Sequence, residues 1–138
     1  KYWQMAEDEY LKRLSRFADV KVIEVKESNS KSSEENIKIE GKDILTHLSG
    51  YVFALCVEGK QCSSEELSDK ISDIMIGGKS EITFVIGGSD GLSDDVKTKA
   101  DNRLSFSKIT FPHQLMRIVL EEQIYRAFTI QNNIKYHK

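Results

Sequence analysis

Apolar residues recur every three or four positions from Tyr2 to Phe17, which places Trp3, Ala6, Tyr10, Leu14 and Phe17 on one face of a helix. Val20 to Val25 alternates and is β-branched, so it reads as a strand, and the polar stretch Lys26 to Glu35 after it reads as a mobile loop. Ile37, Ile44, Leu45 and Leu48 mark a second helix, interrupted by Gly41 and ending near Gly50. Tyr51 to Val57 is almost continuously apolar, as expected of a central parallel strand covered on both faces. Ser63 and Glu66 have capping-box spacing ahead of Leu67, Ile71, Ile74 and Met75, and Gly77-Gly78 stops that helix. Ile82 to Ile86 is a further buried strand, ending in Gly87-Gly88-Ser89-Asp90-Gly91. Ser93, followed by Asp94 and Asp95, then starts a short helix.

Leu104 to Thr110 reads as a short strand or loop, and Pro112 opens a long helix to about Gln131. Leu115, Met116, Ile118, Val119, Leu120, Ile124, Ala127, Phe128 and Ile130 cover more than one face of that helix. So broad an apolar surface predicts two things to bury against, the sheet and a second subunit. Strands alternating with helices indicate an α/β sandwich with a mostly parallel sheet. No internal repeat or linker divides it, so residues 1–138 read as one domain.

Composition narrows the class. A chain of 138 residues with 39% hydrophobic and 30% charged positions is long enough for one real core. No apolar run approaches the ~20 residues that span a bilayer. The start, Lys1-Tyr2-Trp3, resembles neither a signal peptide nor an initiator, so a truncated beginning is expected. Cys56 and Cys62 fit neither a redox pair nor a zinc-ligand pattern. Cys56 reads as a buried thiol, no metal is expected, and a reducing cytoplasm is the expected compartment. A net charge of -2 argues against nucleic-acid binding through general positive charge, although a local patch or a dimer would still serve RNA.

The glycine-rich turn after Ile86 sits where an open α/β sheet places ligands, yet it is neither G-x-G-x-x-G nor a Walker motif, and a simple tight turn is equally open. His47 reads as structural or solvated, and His113 as a helix-start residue rather than a base. Arg117 and Arg126 can pair with Glu121 and Glu122 at i,i+4 spacing, or face RNA phosphates. Helical spacing assigns Trp3 and Tyr10 to core or interface.

Three segments carry a resemblance: Thr83-Phe84-Val85-Ile86-Gly87-Gly88-Ser89-Asp90-Gly91-Leu92, Leu104 to Gln114 (LSFSKITFPHQ), and the ending Tyr136-His137-Lys138. Together with Arg117, Glu121, Gln123, Tyr125, Arg126 and Phe128 on the helix between, they resemble the RlmH family of SPOUT-class methyltransferases. The resemblance implies an α/β knot with a C-terminal trefoil knot, and a family first strand that would precede Lys1. It implies S-adenosyl-L-methionine held by Leu55, Gly87, Phe106, Ser107, Lys108, Ile109, Thr110 and Phe111, with core packing the other role open to Phe106, Ile109 and Phe111. The implied reaction is methylation of N3 of a pseudouridine in 23S ribosomal RNA by a homodimer, with the near-neutral charge pointing to the assembled ribosome as substrate. His137 and Arg117 are the implied catalytic candidates, His137 as proton acceptor or else part of a frayed tail. Arg126, Tyr136 and Lys138 are the expected RNA-facing residues, with Lys108 and Lys135 expected to join them in a basic rim. The rivals are a SPOUT enzyme acting on transfer RNA and a noncatalytic nucleotide-binding α/β domain.

Overall fold

The uninterrupted apolar run from Tyr51 becomes the middle strand of a three-stranded parallel sheet. In the computed structural model, which describes residues 1–29, 32–88 and 90–138, β1 (Tyr51–Gln61) lies between β2 (Ile82–Ile86) and β3 (Asn102–Ser105). Successive β1 side chains point to opposite faces. Val52 and Ala54 join Val85, Leu92 and Val96 beneath α2 (Ser33–Leu45) and α4 (Asp94–Lys99). Phe53 goes the other way, stacking on Phe84 at 4.8 Å and packing with Leu67, Ile71, Leu104 and Ala127 beneath α3 (Ser64–Ile76) and α5 (His113–Gln131). Helices therefore cover both faces, and α1 (Tyr2–Leu14) packs outside α5.

The predicted helix starts hold. Ser63 and Glu66 form the reciprocal capping box of α3, and Ser93 caps α4 by accepting from the Val96 amide. The strand expected over Val20 to Val25 does not form. A strand needs a neighbour for its backbone groups; this segment has none among the described residues, and Val20, Val22 and Ile23 are 40–44% exposed. The loop expected over Lys26 to Glu35 is shorter, because Ser32 accepts from the Glu35 amide and starts α2 at Ser33; Ser30 and Lys31 lie outside the described residues. Gly41 does not interrupt α2. Its missing side chain leaves room for Ser93, the cap of α4, whose Cβ would lie 2.9 Å from a Cβ at that position. Cys56 is half-buried rather than buried, and both thiols are free, with burial pushing each thiol pKa up.

Part of the apolar surface on α5 is covered within the chain by α3 and α1, while Leu115, Met116, Val119, Ile124 and Ile130 stay half-buried. Below α1, Phe17 stacks on Phe128 at 5.3 Å. Higher up, Arg117 reaches Glu7 with Nε 2.7 Å from Oε2 and Nη2 donating to Oε1 at 3.0 Å, while Glu24 stands 3.6 Å from Nη1. Arg117 thus pairs across to α1 rather than with Glu121, as helical spacing suggested. Glu121 is buried against the same Glu7, with one oxygen lacking a hydrogen-bond partner. Loss of hydration and the hydrogen bond to Glu7 raise the Glu121 pKa far above the usual carboxylate range.

Two predictions follow from this packing. A protonated Glu121 suits the folded state, so its contribution is complete below the unfolded value of about 4.3 and fades as pH climbs toward the raised folded value. Glu121→Gln should gain stability relative to the parent as pH rises from 5 to about 9; urea midpoints that move in parallel would contradict this. Gly41→Ala gains up to about 1 kcal/mol of helix propensity, but overpacking against Ser93 costs about 1–3 kcal/mol. A net loss in Tm is expected from thermal melts.

Candidate functional site

Parallel strands leave their carboxyl ends on one edge, and a ligand crevice opens where successive crossovers depart in opposite directions. From β1 the chain passes through α3 to β2 on one side. It then passes through α4 to β3 on the other side, so the switch lies between β1 and β3. Gln61 pairs with Ser105 at that end. The next residue on each chain, Cys62 and Phe106, lines a cavity of about 300 Å³ with Ser63, Ser64, Leu67, Val119 and Gln123. The floor is apolar, and the rim carries two serine hydroxyls and an amide. α3 begins at this rim.

Register brings other predicted residues near the same edge. Leu55 pairs with both Ile86 and Leu104, the first of which precedes Gly87. The glycine turn closes on itself: the Gly91 amide donates to the Gly88 carbonyl at 3.0 Å, and Gly91 takes φ +91°, a conformation that suits glycine. Ser89 lies outside the described residues. Beyond β3, Ser105 donates to the Ser107 carbonyl and the Ile109 amide donates to the Ser107 hydroxyl, so the segment bends. Ile109 is 70% exposed, not core, and Lys108 and Thr110 are exposed with it, whereas Phe111 is half-buried. Of the predicted cofactor residues, Phe106 is the one that lines the cavity.

The C-terminal tail folds back onto the same rim through a closed polar circuit. Ser64 donates to Gln123 at 2.6 Å, and Gln123 to Glu122 at 3.1 Å. Arg126 donates to Glu122 at 2.6 Å and, through Nη1, to His137 Nδ1 at 3.0 Å. His137 Nε2 then lies 2.9 Å from Glu65, the residue after Ser64. Tyr136 also donates to Glu122 at 2.8 Å, lies under the Arg126 guanidinium, and meets Tyr125 edge-on. Burial, with that hydrogen bond, pushes the Tyr136 pKa up to about 12. The bond from His137 holds Glu65 below the usual carboxylate range.

His137 and Tyr136 are therefore docked, and the pairing of Arg126 with Glu122 follows the predicted i,i+4 spacing. Arg117 is not brought to this cluster. It lies nine positions from Arg126, which on a helix is about 13.5 Å along the axis and on the opposite face. His113 opens α5, as expected of a helix-start residue, and His47 stands on the surface 3.4 Å from Asp43. Glu65, Glu122 and Gln123 escaped functional notice in the sequence; the capping box that places Glu65 in the first turn of α3 was the available signal. Among the described residues no cluster could hold a metal, and no helix is long and apolar enough to cross a membrane.

The family model described as "Predicted SPOUT methyltransferase" matches residues 1–137. The chain belongs to this SPOUT methyltransferase family. The chain is 46% identical over 149 residues to the "Ribosomal RNA large subunit methyltransferase H" of Clostridioides difficile (strain 630), covering 100% of the chain and 92% of that relative. It is 49% identical over 146 residues to the Lactobacillus acidophilus protein of the same name, with the same coverage. A "Putative ribosomal RNA large subunit methyltransferase H" of Methanococcus maripaludis is 50% identical over 146 residues, again at 100% and 92% coverage. The resemblance read from the glycine turn, the Phe106 segment and the tail is borne out, and in this SPOUT member the tail circuit marks the cavity rim.

Removing Glu122 deprives Tyr136 of the hydrogen bond that helps raise its pKa. Spectrophotometric titration of Glu122→Ala should show one tyrosine ionising at lower pH than in the parent protein, and identical titrations would disprove the contact.

Proposed function

We propose that this methyltransferase moves the methyl group of S-adenosyl-L-methionine to N3 of a pseudouridine in 23S ribosomal RNA. We further propose that it acts as a single-domain homodimer with a C-terminal trefoil knot, working on the assembled ribosome in the cytoplasm. The observation that carries the proposal is the cavity at the β1–β3 switch point with the C-terminal tail tied to its rim. The relatives that match the whole chain are named for ribosomal RNA of the large subunit, which supports that acceptor over transfer RNA. A net charge of -2 supports a structured ribosomal surface over bare RNA.

The residues suit the donor. Ligand cavities start at about 300 Å³ and are mostly apolar with a few placed polar groups, which is the lining of Leu67, Phe106 and Val119 beneath Ser63, Ser64 and Gln123. Leu55 and Gly87 from adjoining strand ends, with Phe106, Ser107, Lys108, Ile109, Thr110 and Phe111, would hold it. When bound, its sulfonium supplies an already activated methyl group. What remains for the chain is alignment of the acceptor nitrogen and removal of its proton. His137, docked at the rim, is the group we assign to that proton. Arg126, Tyr136 and Lys138 face the RNA, with Arg126 exchanging its pairing to Glu122 for a phosphate. Arg117, fastened to Glu7, serves to hold α1 on α5.

Cells lacking the protein should lose N3-methylated pseudouridine from large-subunit ribosomal RNA, as read by nucleoside mass spectrometry, and regain it on complementation. Full retention of the modified nucleoside would refute the assignment. Purified protein should also bind both S-adenosyl-L-methionine and its demethylated product by calorimetry, which a noncatalytic scaffold has no reason to do.

A further inference from the structure

A guanidinium only donates hydrogen bonds and an ionised carboxylate only accepts them. Arg126 Nη1 lies 3.0 Å from His137 Nδ1, so Nδ1 must carry the lone pair. Glu65 lies 2.9 Å from Nε2, so Nε2 must carry the hydrogen. The two neighbours together select one tautomer of His137. They also leave it no free lone pair, because the only basic nitrogen is covered by a cation.

We propose that Glu65 is the positioning residue for His137, fixing its Nε2–H tautomer, and that Arg126 masks the basic Nδ1 until substrate RNA draws the guanidinium away. The proposal rests on the reading of His137 as the group that takes the N3 proton. Once Arg126 leaves, the N3–H bond breaks and its proton forms a bond to Nδ1. The electron pair left on N3 bonds to the methyl carbon of S-adenosyl-L-methionine as the carbon–sulfur bond breaks, its electrons returning to sulfur to leave the neutral thioether product, and the imidazolium keeps its Nε2–H on the Glu65 carboxylate. Without that departure the imidazolium would form directly beside a guanidinium, so proton transfer and exchange of Arg126 are linked by like-charge repulsion. An RNA phosphate is the natural competitor, since it offers the same bidentate acceptor geometry that Glu122 now supplies.

Stability does not explain the Glu65 contact. Glu65 is 63% exposed, and an exposed pair of this kind contributes little to stability. Its consequence is the orientation and protonation pattern of the ring, the role a buried carboxylate plays toward histidine in hydrolytic triads. The backbone of Glu65 is placed by the Ser63–Glu66 capping box, which sets the first turn of α3.

The test uses full-length protein with nitrogen-15-labelled histidine, the His137 signals being assigned with His137→Ala. The parent should show the Nε2–H tautomer of His137. Glu65→Ala should lose that preference, and Glu65→Gln should retain it because the amide oxygen still accepts. In single-turnover methyl transfer to ribosomes lacking the modification, Glu65→Ala should slow the chemical step about tenfold to a hundredfold. The apparent affinity for ribosomes and for S-adenosyl-L-methionine should be unchanged, and Glu65→Gln should recover part of the rate. A parental tautomer and parental rate in Glu65→Ala overturn the proposal, and so does a loss confined to ribosome affinity. If Glu65→Ala melts early, Glu65→Gln decides: a shifted tautomer with a slowed step overturns the acceptor role. Parent protein inactive on ribosomes refutes the functional reading instead, and the tautomer comparison then still decides whether Glu65 positions His137.

Discussion

The structure depends on burial of β1 from both sides. A strand with Val52 and Ala54 in one core and Phe53 in the other cannot exist without helices on both faces, and its two neighbours complete its backbone hydrogen bonds. Because β2 and β3 flank it on opposite sides, the crossovers must diverge, and their divergence opens the crevice at its carboxyl end. The cavity is a consequence of how the core is assembled. Its floor residues Leu67 and Phe106 belong to, or pack against, the same apolar cluster as Phe53.

Two arginines on one helix illustrate how placement decides role. Arg117 and Arg126 have the same chemistry and each has an acidic residue four positions away. About two and a half helical turns separate them, which places them on opposite faces. Arg117 meets a buried carboxylate of α1, where withdrawing either partner would strand a charge away from water. Arg126 meets the returning tail and is shared between Glu122 and His137. The first arrangement fastens α1 to α5, whereas the second ties the returning tail to the cavity rim.

Polar groups at the rim form a circuit whose members come from α3, α5 and the tail. Each link satisfies a donor or acceptor that would otherwise be half-desolvated beside an apolar floor. Closing the circuit makes the cavity wall and the tail one hydrogen-bonded unit. The capping box of α3 therefore has two effects: it starts the helix, and it sets Glu65 against His137.

The sequence by itself determined the features that depend on local physics. Apolar period marked β1, β2 and α5, and capping chemistry at Ser63 and Ser93 marked the starts of α3 and α4. The motifs around Gly87, Phe106 and Tyr136 were enough to identify the family. Local pattern failed where the outcome depends on a partner distant in the chain. Val20 to Val25 has strand-like alternation but no pairing strand among the described residues, and Gly41 looked like a helix breaker until Ser93 was seen to occupy its space. The broad apolar surface of α5 did not reveal that α1 covers one side of it. Only the tertiary structure decided that Arg117 belongs to Glu7, or that Glu65 and Arg126 grip the two nitrogens of His137. Contacts spanning 72 or 110 residues are set by packing of whole elements, which no local period encodes.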